Sequence, residues 1–159
     1  MLPEWVFDDD DRSFMAAAIV EAEAAAARGE VPVGAVIARG GVIVARSGNR
    51  RQRESDPSAH AEIIVLREAG REVGDWRLSD CTLYVTLEPC PMCAAACREA
   101  RLQLVIWGAE DERAGGFGSV IDLAADPRLG PPLAHRGGLE AQRCRELLLR
   151  FFAKQRQSS

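Results

Sequence analysis

The chain has 159 residues, of which 47% are hydrophobic and 28% charged, and its formal net charge is −4. This length favours one domain with a substantial core, and the composition is that of an ordinary globular protein. The acidic charge excludes a general attraction to nucleic acid, so a polyanion would need a local basic patch. No apolar run approaches the roughly 20 residues of a membrane span, and the N-terminus does not resemble a signal peptide. We therefore expect a cytoplasmic protein whose cysteines stay reduced.

The predicted elements alternate between helices and short apolar strands. In chain order they are a helix at 12–28, strands at 33–39 and 42–47, a helix at 58–70, a strand at 81–87, a helix from 91 to about 100, a strand at 103–107 and a helix at 139–156. Ser13 and Ser58 are candidate N-caps of the first two helices. Gly40-Gly41 is typical of a tight hairpin turn, and Pro91 suits the first turn of a helix.

The order of these elements predicts an α/β fold. A strand, a helix and a strand over 81–107 predict a right-handed parallel crossover. Residues 48–57 are predicted to be a polar loop and residues 108–118 a glycine-rich loop. Because no repeat or linker interrupts the pattern, residues 1–159 form one predicted domain, with helices covering a mixed sheet. We expect residues 1–11 to be a flexible acidic segment.

Two short motifs carry the chemistry, HAE at 60–62 and PCPMC at 89–93. The imidazole of His60 and the thiols of Cys90 and Cys93 are suitable ligands for Zn²⁺. Three protein ligands leave a fourth tetrahedral position open for water, as in catalytic zinc sites. Both motifs lie at the N-termini of predicted helices, where the helix dipole favours negative charge. The pattern therefore predicts a zinc centre for hydrolytic chemistry, because zinc lowers the pKa of bound water to about 7.

Each half of this pattern has another interpretation. A lone histidine is more often structural than a ligand, and an isolated CxxC also occurs as a redox dithiol. A structural zinc knuckle would need two further ligands at close spacing, which the other cysteines and His135 do not provide. Glu62 alone would stabilise a helix N-terminus. Two residues after His60, it is instead predicted to move protons between water, a ring nitrogen and the leaving ammonia.

H-x-E followed by P-C-x-x-C is the signature of zinc-dependent nucleobase deaminases. Beyond this signature, several other stretches also match, and the chain resembles the bacterial tRNA-specific adenosine deaminase family over nearly its whole length. These stretches are 30–36, 49–50, 56–62, 86–90, 115–119 and 149–152. Free-guanine deaminases usually show a Gly-Pro-Phe-Gly type sequence where this chain has Val-Pro-Val-Gly at 31–34. The chain departs from the family at Gly130-Pro131, where an Asn-His pair is common, and residues 133–138 are less strand-like.

The resemblance implies a three-layer α-β-α cytidine-deaminase-like fold with a mixed five-stranded sheet. It implies one Zn²⁺ per subunit and hydrolytic deamination of adenosine to inosine at the wobble position of a tRNA anticodon stem-loop. It also implies a homodimer with active sites near the subunit interface. The alternative is a deaminase of a free base or nucleoside, of guanine or cytosine type, at the same zinc site. A non-catalytic zinc or redox domain would have no need of Glu62.

The resemblance also assigns substrate contacts. Asn49 would hydrogen-bond the base with help from the backbone N–H of Ala61, while Val31 and Pro32 would line the pocket. Asp111 matches a position next to the RNA. Phe152 is a further candidate for substrate contact. The candidates for phosphate contact are Arg50, Arg51 and Arg53 beside Asn49, and Arg150, Lys154 and Arg156 around Phe151 and Phe152. Without the resemblance, Asn49 is a turn residue, Asp111 a loop carboxylate and the basic groups solvated faces. Glu88, before Pro89, is interpreted as structural.

Overall fold

A computed structural model of the protein describes residue 3 and residues 6–158. The helices are α1 (Asp9–Ala27), α2 (Arg51–Glu54), α3 (Ala61–Val73), α4 (Pro91–Glu99) and α5 (Ala141–Ser158). The strands are β1 (Gly34–Arg39), β2 (Val42–Gly48), β3 (Cys81–Leu87), β4 (Leu104–Ala109) and β5 (His135–Gly137). They form one sheet of order β2-β1-β3-β4-β5. β1 is antiparallel to β2 and β3, whereas β4 is parallel to β3 and β5. The predicted mixed five-stranded sheet and its parallel crossover are confirmed.

Helices cover both faces of the sheet, because successive strand residues point to opposite sides. Leu83 and Val85 of β3 belong to the hydrophobic cluster that includes residues of α3 and α4. Tyr84, between them, belongs to the cluster on the other face, with Met15 and Ile19 of α1. α5 also packs on this second face, against β4 and α1. The three-layer α-β-α architecture predicted from the resemblance is therefore confirmed.

The first helix begins earlier than predicted. Asp8 is its N-cap and forms a capping box with Asp11, in which each side chain accepts a hydrogen bond from the other residue's backbone N–H. Asp11 also accepts a hydrogen bond from the hydroxyl of Tyr84 at 2.8 Å. The predicted N-cap at Ser13 is therefore wrong, and so is the flexible segment where it includes residues 8–11. Residues 1, 2, 4 and 5 lie outside the described residues.

Two further differences from the predicted elements lie in short polar segments. Ser58 does not cap α3, since its N–H and hydroxyl both donate to Asp56, and the N-cap position belongs to His60. The predicted loop at 48–57 contains the four-residue helix α2. The Gly40-Gly41 turn is confirmed, with φ of +56° and +80°, in the left-handed region that favours glycine. No helix among the described residues is long and apolar enough to cross a membrane.

Candidate active site

Two helix N-termini meet at the centre of the candidate site. His60 occupies the N-cap position of α3 and Cys90 that of α4, and neither side chain makes a capping hydrogen bond. Pro91 follows Cys90 as the first residue of α4, where its missing N–H costs nothing. Both side chains therefore remain available beside backbone N–H groups that carry partial positive charge.

The predicted ligands lie together at distances that suit zinc. The Nδ1 atom of His60 is 3.4 Å from Sγ of Cys93 and 3.6 Å from Sγ of Cys90. The three ligand atoms lie within 4.8 Å of one another. A tetrahedral zinc ion with bonds of about 2.3 Å to sulfur and about 2.0 Å to nitrogen would separate such a pair by roughly 3.5 Å. The residues present therefore fit a zinc ion.

A hydrogen bond between the two thiols moves their pKa values in opposite directions. The hydrogen bond from Cys93 lowers the pKa of Cys90 to about 4, and His60 contributes to the same effect. That hydrogen bond and burial raise the pKa of Cys93 far above its usual value. The hydrogen bond with Cys90 raises the pKa of His60. Cys90 is consequently a thiolate at neutral pH, the form in which cysteine binds metal ions.

Glu62 is the buried acid beside these ligands. It lies in the first turn of α3 with 4% of its surface exposed, and its Oε1 atom has no hydrogen-bond partner among the described residues. Burial raises the pKa of its carboxyl group to about 7. A buried carboxyl group that titrates near neutral pH can both accept and release a proton.

Asn49 connects the end of β2 to this centre. Its Oδ1 atom accepts a hydrogen bond from the N–H of Ala61 at 2.8 Å, and its Nδ2 group donates to the carbonyl of Val31 at 3.2 Å. A cavity of 310 Å³ lies beside it. Among the lining residues are Glu30, Val31, Asn49, Arg51, Phe151 and Phe152. Pro32, predicted to line the pocket, is buried and is not among the residues that line this cavity.

The candidate phosphate contacts occupy different environments. Arg51 is exposed and lines the cavity, and Arg150 and Lys154 are exposed on α5. The guanidinium of Arg50 is instead 3.5 Å from Glu54 and 3.9 Å from Glu68. Asp111 accepts hydrogen bonds from the backbone N–H groups of Arg113 and Ala114, so its carboxylate supports the turn of its own loop.

Glu88 organises the glycine-rich loop against the site. Its side chain is 1% exposed and accepts hydrogen bonds from the backbone N–H groups of Asp111, Phe117 and Ser119, at 3.0 to 3.2 Å. The hydroxyl of Ser119 donates to it as well. A Cβ atom on Gly115 would collide with this carboxylate. These contacts agree with the structural interpretation of Glu88.

Two residues that the sequence patterns do not identify fix loops around the site. Glu30 accepts hydrogen bonds from two backbone N–H groups of α2. Arg98 of α4 donates to the carbonyls of Leu123, Ala124 and Pro131, and so ties the segment with the unusual Gly130-Pro131 pair to the helix that carries Cys93. No local signal identifies either role, because the partners are 22 to 33 residues away in sequence.

The family follows from the segment that contains both motifs. Residues 8–109 match the family model described as the cytidine and deoxycytidylate deaminase zinc-binding region, which is more than half of the chain. The chain belongs to the cytidine and deoxycytidylate deaminase family. The predicted zinc cofactor of this deaminase is confirmed by the match and by the His60, Cys90 and Cys93 cluster.

Individual relatives of this deaminase share most of its length. It is 42% identical over 146 residues to the tRNA-specific adenosine deaminase of Bacillus subtilis strain 168, covering 92% of this chain and 91% of the relative. A structure from a study of A-to-I editing by tRNA:A34 deaminases at the wobble position aligns with a TM-score of 0.83 at 43% identity, covering 86% of this chain and 99% of that chain. Guanine deaminase from Bacillus subtilis aligns with a TM-score of 0.60 at 37% identity, covering 65% and 66%. The resemblance to tRNA-specific adenosine deaminases is confirmed.

Proposed function

We propose that this deaminase converts adenosine to inosine at the wobble position of a tRNA anticodon, as a single catalytic domain over residues 1–159. The proposal rests on the hydrogen bond between Asn49 and the N–H of Ala61. This bond ties Asn49, in the wall of a cavity, to Ala61, the residue that follows the ligand His60. The names and 42 to 43% identities of the relatives support adenosine in tRNA as the substrate.

The reaction requires water and one proton carrier. Zinc held by His60, Cys90 and Cys93 would supply a water of pKa about 7. Glu62 accepts a proton from the attacking water and passes it to N1 of the purine while the water oxygen bonds to C6. Glu62 then moves the second water proton to the amino group, the C6–N6 bond breaks and ammonia leaves. Adenosine and water thus become inosine and ammonia.

The residues around the cavity beside Asn49 suit a nucleotide that is flipped out of the base stack of a folded RNA. A base within folded RNA must be flipped out to reach such a site, and splayed bases are commonly stacked on aromatic rings. Phe152 lines the cavity with 44% of its surface exposed. Exposed Arg51, Arg150 and Lys154 lie on α2 and α5, where they offer local positive charge for phosphates despite the acidic net charge.

The test compares substrates on one zinc-loaded preparation. An anticodon stem-loop with adenosine at the target position is offered beside the same stem-loop with guanosine there, free guanine, free cytosine and free nucleosides. Inosine formed only in the adenosine stem-loop supports the proposal, with Glu62→Gln as the inactive control. Ammonia released from a free base, with none from RNA, would overturn it in favour of a free-base deaminase.

We infer that the protein acts as a homodimer through the outer face of α3 and α4. A groove of 910 Å³ crosses this face, and Trp76 beside it is 58% exposed. The groove carries Arg67 and Arg71 as well as Asp75 and Glu99. A two-fold axis allows each charge to meet its opposite on a second copy. Light scattering after size-exclusion chromatography should give twice the chain mass, and Trp76→Asp should give a monomer; a monomeric wild type contradicts the inference.

The state of the cysteines supports a cytoplasmic location, which we propose for this protein. All five are free thiols, and the three that are not predicted zinc ligands, Cys81, Cys97 and Cys144, are buried. Free thiols persist in reducing compartments, whereas secreted proteins usually pair them. Cell fractionation with a tagged full-length chain checks the location, and recovery in an extracellular fraction would contradict it.

A further inference from the structure

Glu30 supplies the N-terminal cap that α2 lacks in its own sequence. Its carboxylate is 2% exposed, with Oε1 3.0 Å from the N–H of Gln52 and Oε2 2.8 Å from the N–H of Arg53. These are among the N–H groups that the first turn of a helix leaves without partners. Arg50, at the N-cap position, provides no side-chain hydrogen bond. A four-residue helix is therefore held by a carboxylate 22 residues upstream.

The carboxylate of Glu30 contacts the backbone of α2 and not the side chains of the arginines on that helix. Among the described residues, Glu30 forms no ion pair, and neither do Arg51 and Arg53. Both arginines are exposed, and Arg51 lines the same cavity as Glu30. By contrast, Arg50 is paired with Glu54 and Glu68. The guanidinium group of Arg51 thus remains available to an anion at the cavity, and that of exposed Arg53 lies on the same short helix.

The same segment also connects to the zinc centre. Val31, which follows Glu30, accepts a hydrogen bond from Asn49, and Asn49 accepts one from Ala61. Glu30 and Val31 together therefore set the position of α2 relative to the first turn of α3. A shift of α2 would move its arginines without removing any predicted zinc ligand.

We propose that Glu30 is a positioning residue that acts through α2. It holds Arg51 and Arg53 where they contact the phosphates next to the target nucleotide. This inference rests on the proposed function, since it requires an RNA substrate. The proposal gives Glu30 an indirect role in substrate binding. Its buried carboxylate contacts only backbone N–H groups of α2 and does not touch the substrate.

The first test is Glu30→Gln, which keeps the shape of the side chain but leaves only one acceptor oxygen for the two N–H groups. We expect KM for the anticodon stem-loop to rise about tenfold, with kcat changed less than about twofold and zinc content unchanged. The dependence of log(kcat/KM) on log salt should become shallower by about 1. The matched control is Asp11→Asn, which weakens a buried carboxylate contact to Tyr84 on the opposite face of the sheet. It should lower Tm and leave KM unchanged.

A double-mutant cycle then asks whether Glu30 acts through the arginines. In a background with Arg51→Gln and Arg53→Gln, adding Glu30→Gln should raise KM less than about twofold, because groups that act as one unit are not additive. An unchanged KM and salt dependence in Glu30→Gln, or full additivity in the cycle, would overturn the proposal. So would loss of zinc from Glu30→Gln, since the effect would then lie in the metal centre.

A binding measurement separates this inference from the proposed function. Fluorescence anisotropy of the labelled stem-loop reports affinity without turnover, at several salt concentrations. If the wild type forms no inosine, the proposed function fails on that result alone. The Glu30 proposal is still decided by whether Glu30→Gln weakens binding about tenfold and lowers the salt dependence. Equal affinity of Glu30→Gln and wild type would refute it in either case.

Discussion

The amide oxygen of Asn49 accepts a hydrogen bond from the backbone N–H of Ala61 at 2.8 Å, across 12 residues of sequence. This bond joins the cavity wall to the first residue of α3, between the ligand His60 and the acid Glu62. The cavity beside Asn49 and the helix that begins at the metal-ligand cluster are thereby joined by a hydrogen bond.

Asn49→Ala should impair both stability and substrate use. The change leaves the buried N–H of Ala61 without its partner and removes one of two hydrogen bonds to the carbonyl of Val31, which costs about 1–3 kcal/mol. We expect kcat/KM on the stem-loop to fall by roughly 10- to 100-fold. The control is Thr86→Val, which removes a buried hydrogen bond to the N–H of Gly34. Urea unfolding should show destabilisation in both variants, and a normal kcat/KM in Asn49→Ala would contradict the assigned role.

Glu62→Ala should keep the metal and lose turnover. Its carboxyl group is not among the three zinc ligands, but it is the buried acid with an unpartnered oxygen. General acid–base catalysis contributes about 10²- to 10⁴-fold, so kcat should fall by at least that factor. Zinc per chain, measured by elemental analysis, should stay near that of the wild type. Deamination at the wild-type rate would exclude Glu62 as the proton carrier.

Removal of the metal should abolish activity reversibly. Chelation leaves the thiolate of Cys90 and its partners His60 and Cys93 without the ion that their geometry fits. We expect Tm to fall as well, because a ligand that binds the folded state stabilises it. One equivalent of Zn²⁺ should restore activity and Tm, whereas Mg²⁺, which prefers oxygen ligands, should restore neither. Full activity in metal-free protein would refute the zinc requirement.

Gly115→Ala should destabilise the glycine-rich loop. A Cβ atom there would collide with the carboxylate of Glu88 and lie 2.6 Å from the carbonyl oxygen of Asp111. Overpacking of this kind costs about 1–3 kcal/mol. Gly70→Ala, in α3, is the control, since its new Cβ would lie 3.5 Å from the carbonyl of Asp75 and should be tolerated. Urea unfolding measures the free energy of unfolding of both variants. If Gly115→Ala and Gly70→Ala are equally stable, the predicted collision with Glu88 does not occur.

His135 should make stability depend on pH. Burial lowers its pKa below the ordinary 6.5, and its Nδ1 atom accepts a hydrogen bond from Trp107 at 3.3 Å, which a protonated ring could not do. The unfolded chain therefore binds the proton more readily. The stabilisation is complete above pH 6.5 and is lost as pH falls towards the lower pKa of the folded state. His135→Gln should lose less stability than the wild type between pH 7.5 and pH 5 in urea unfolding. Equal losses would argue against this role.

The sequence predicted the elements whose signals are local. The strand at 81–87 and the Gly40-Gly41 turn were predicted at their observed positions, because β-type apolar runs and paired glycines restrict the backbone directly. Asp8 and Asp11, two acids three residues apart, fit a capping box, but Ser13 competes with Asp8 in the sequence because serine is also a favoured cap. Such an error shifts a boundary and leaves the element intact.

The short helix α2 could not be predicted, for a different reason. Four residues are too few to show a helical period, and an isolated helix of that length is unstable in water. Its cap comes from Glu30, whose proximity depends on how the end of α1 lies against β2. The position of Arg51 beside the cavity follows from this packing.

By itself, the sequence determined the metal centre and the reaction class, since His60, Glu62, Cys90 and Cys93 form two motifs whose residue types and spacing meet the chemical demands of a zinc deaminase. Only the tertiary structure decided how the segments around this centre are held. Asn49 meets Ala61, Glu30 meets α2 and Glu88 meets the glycine-rich loop through hydrogen bonds across 12 to 31 residues. Such contacts exist only when the chain has folded, because a buried polar group selects whichever partner packing brings within reach.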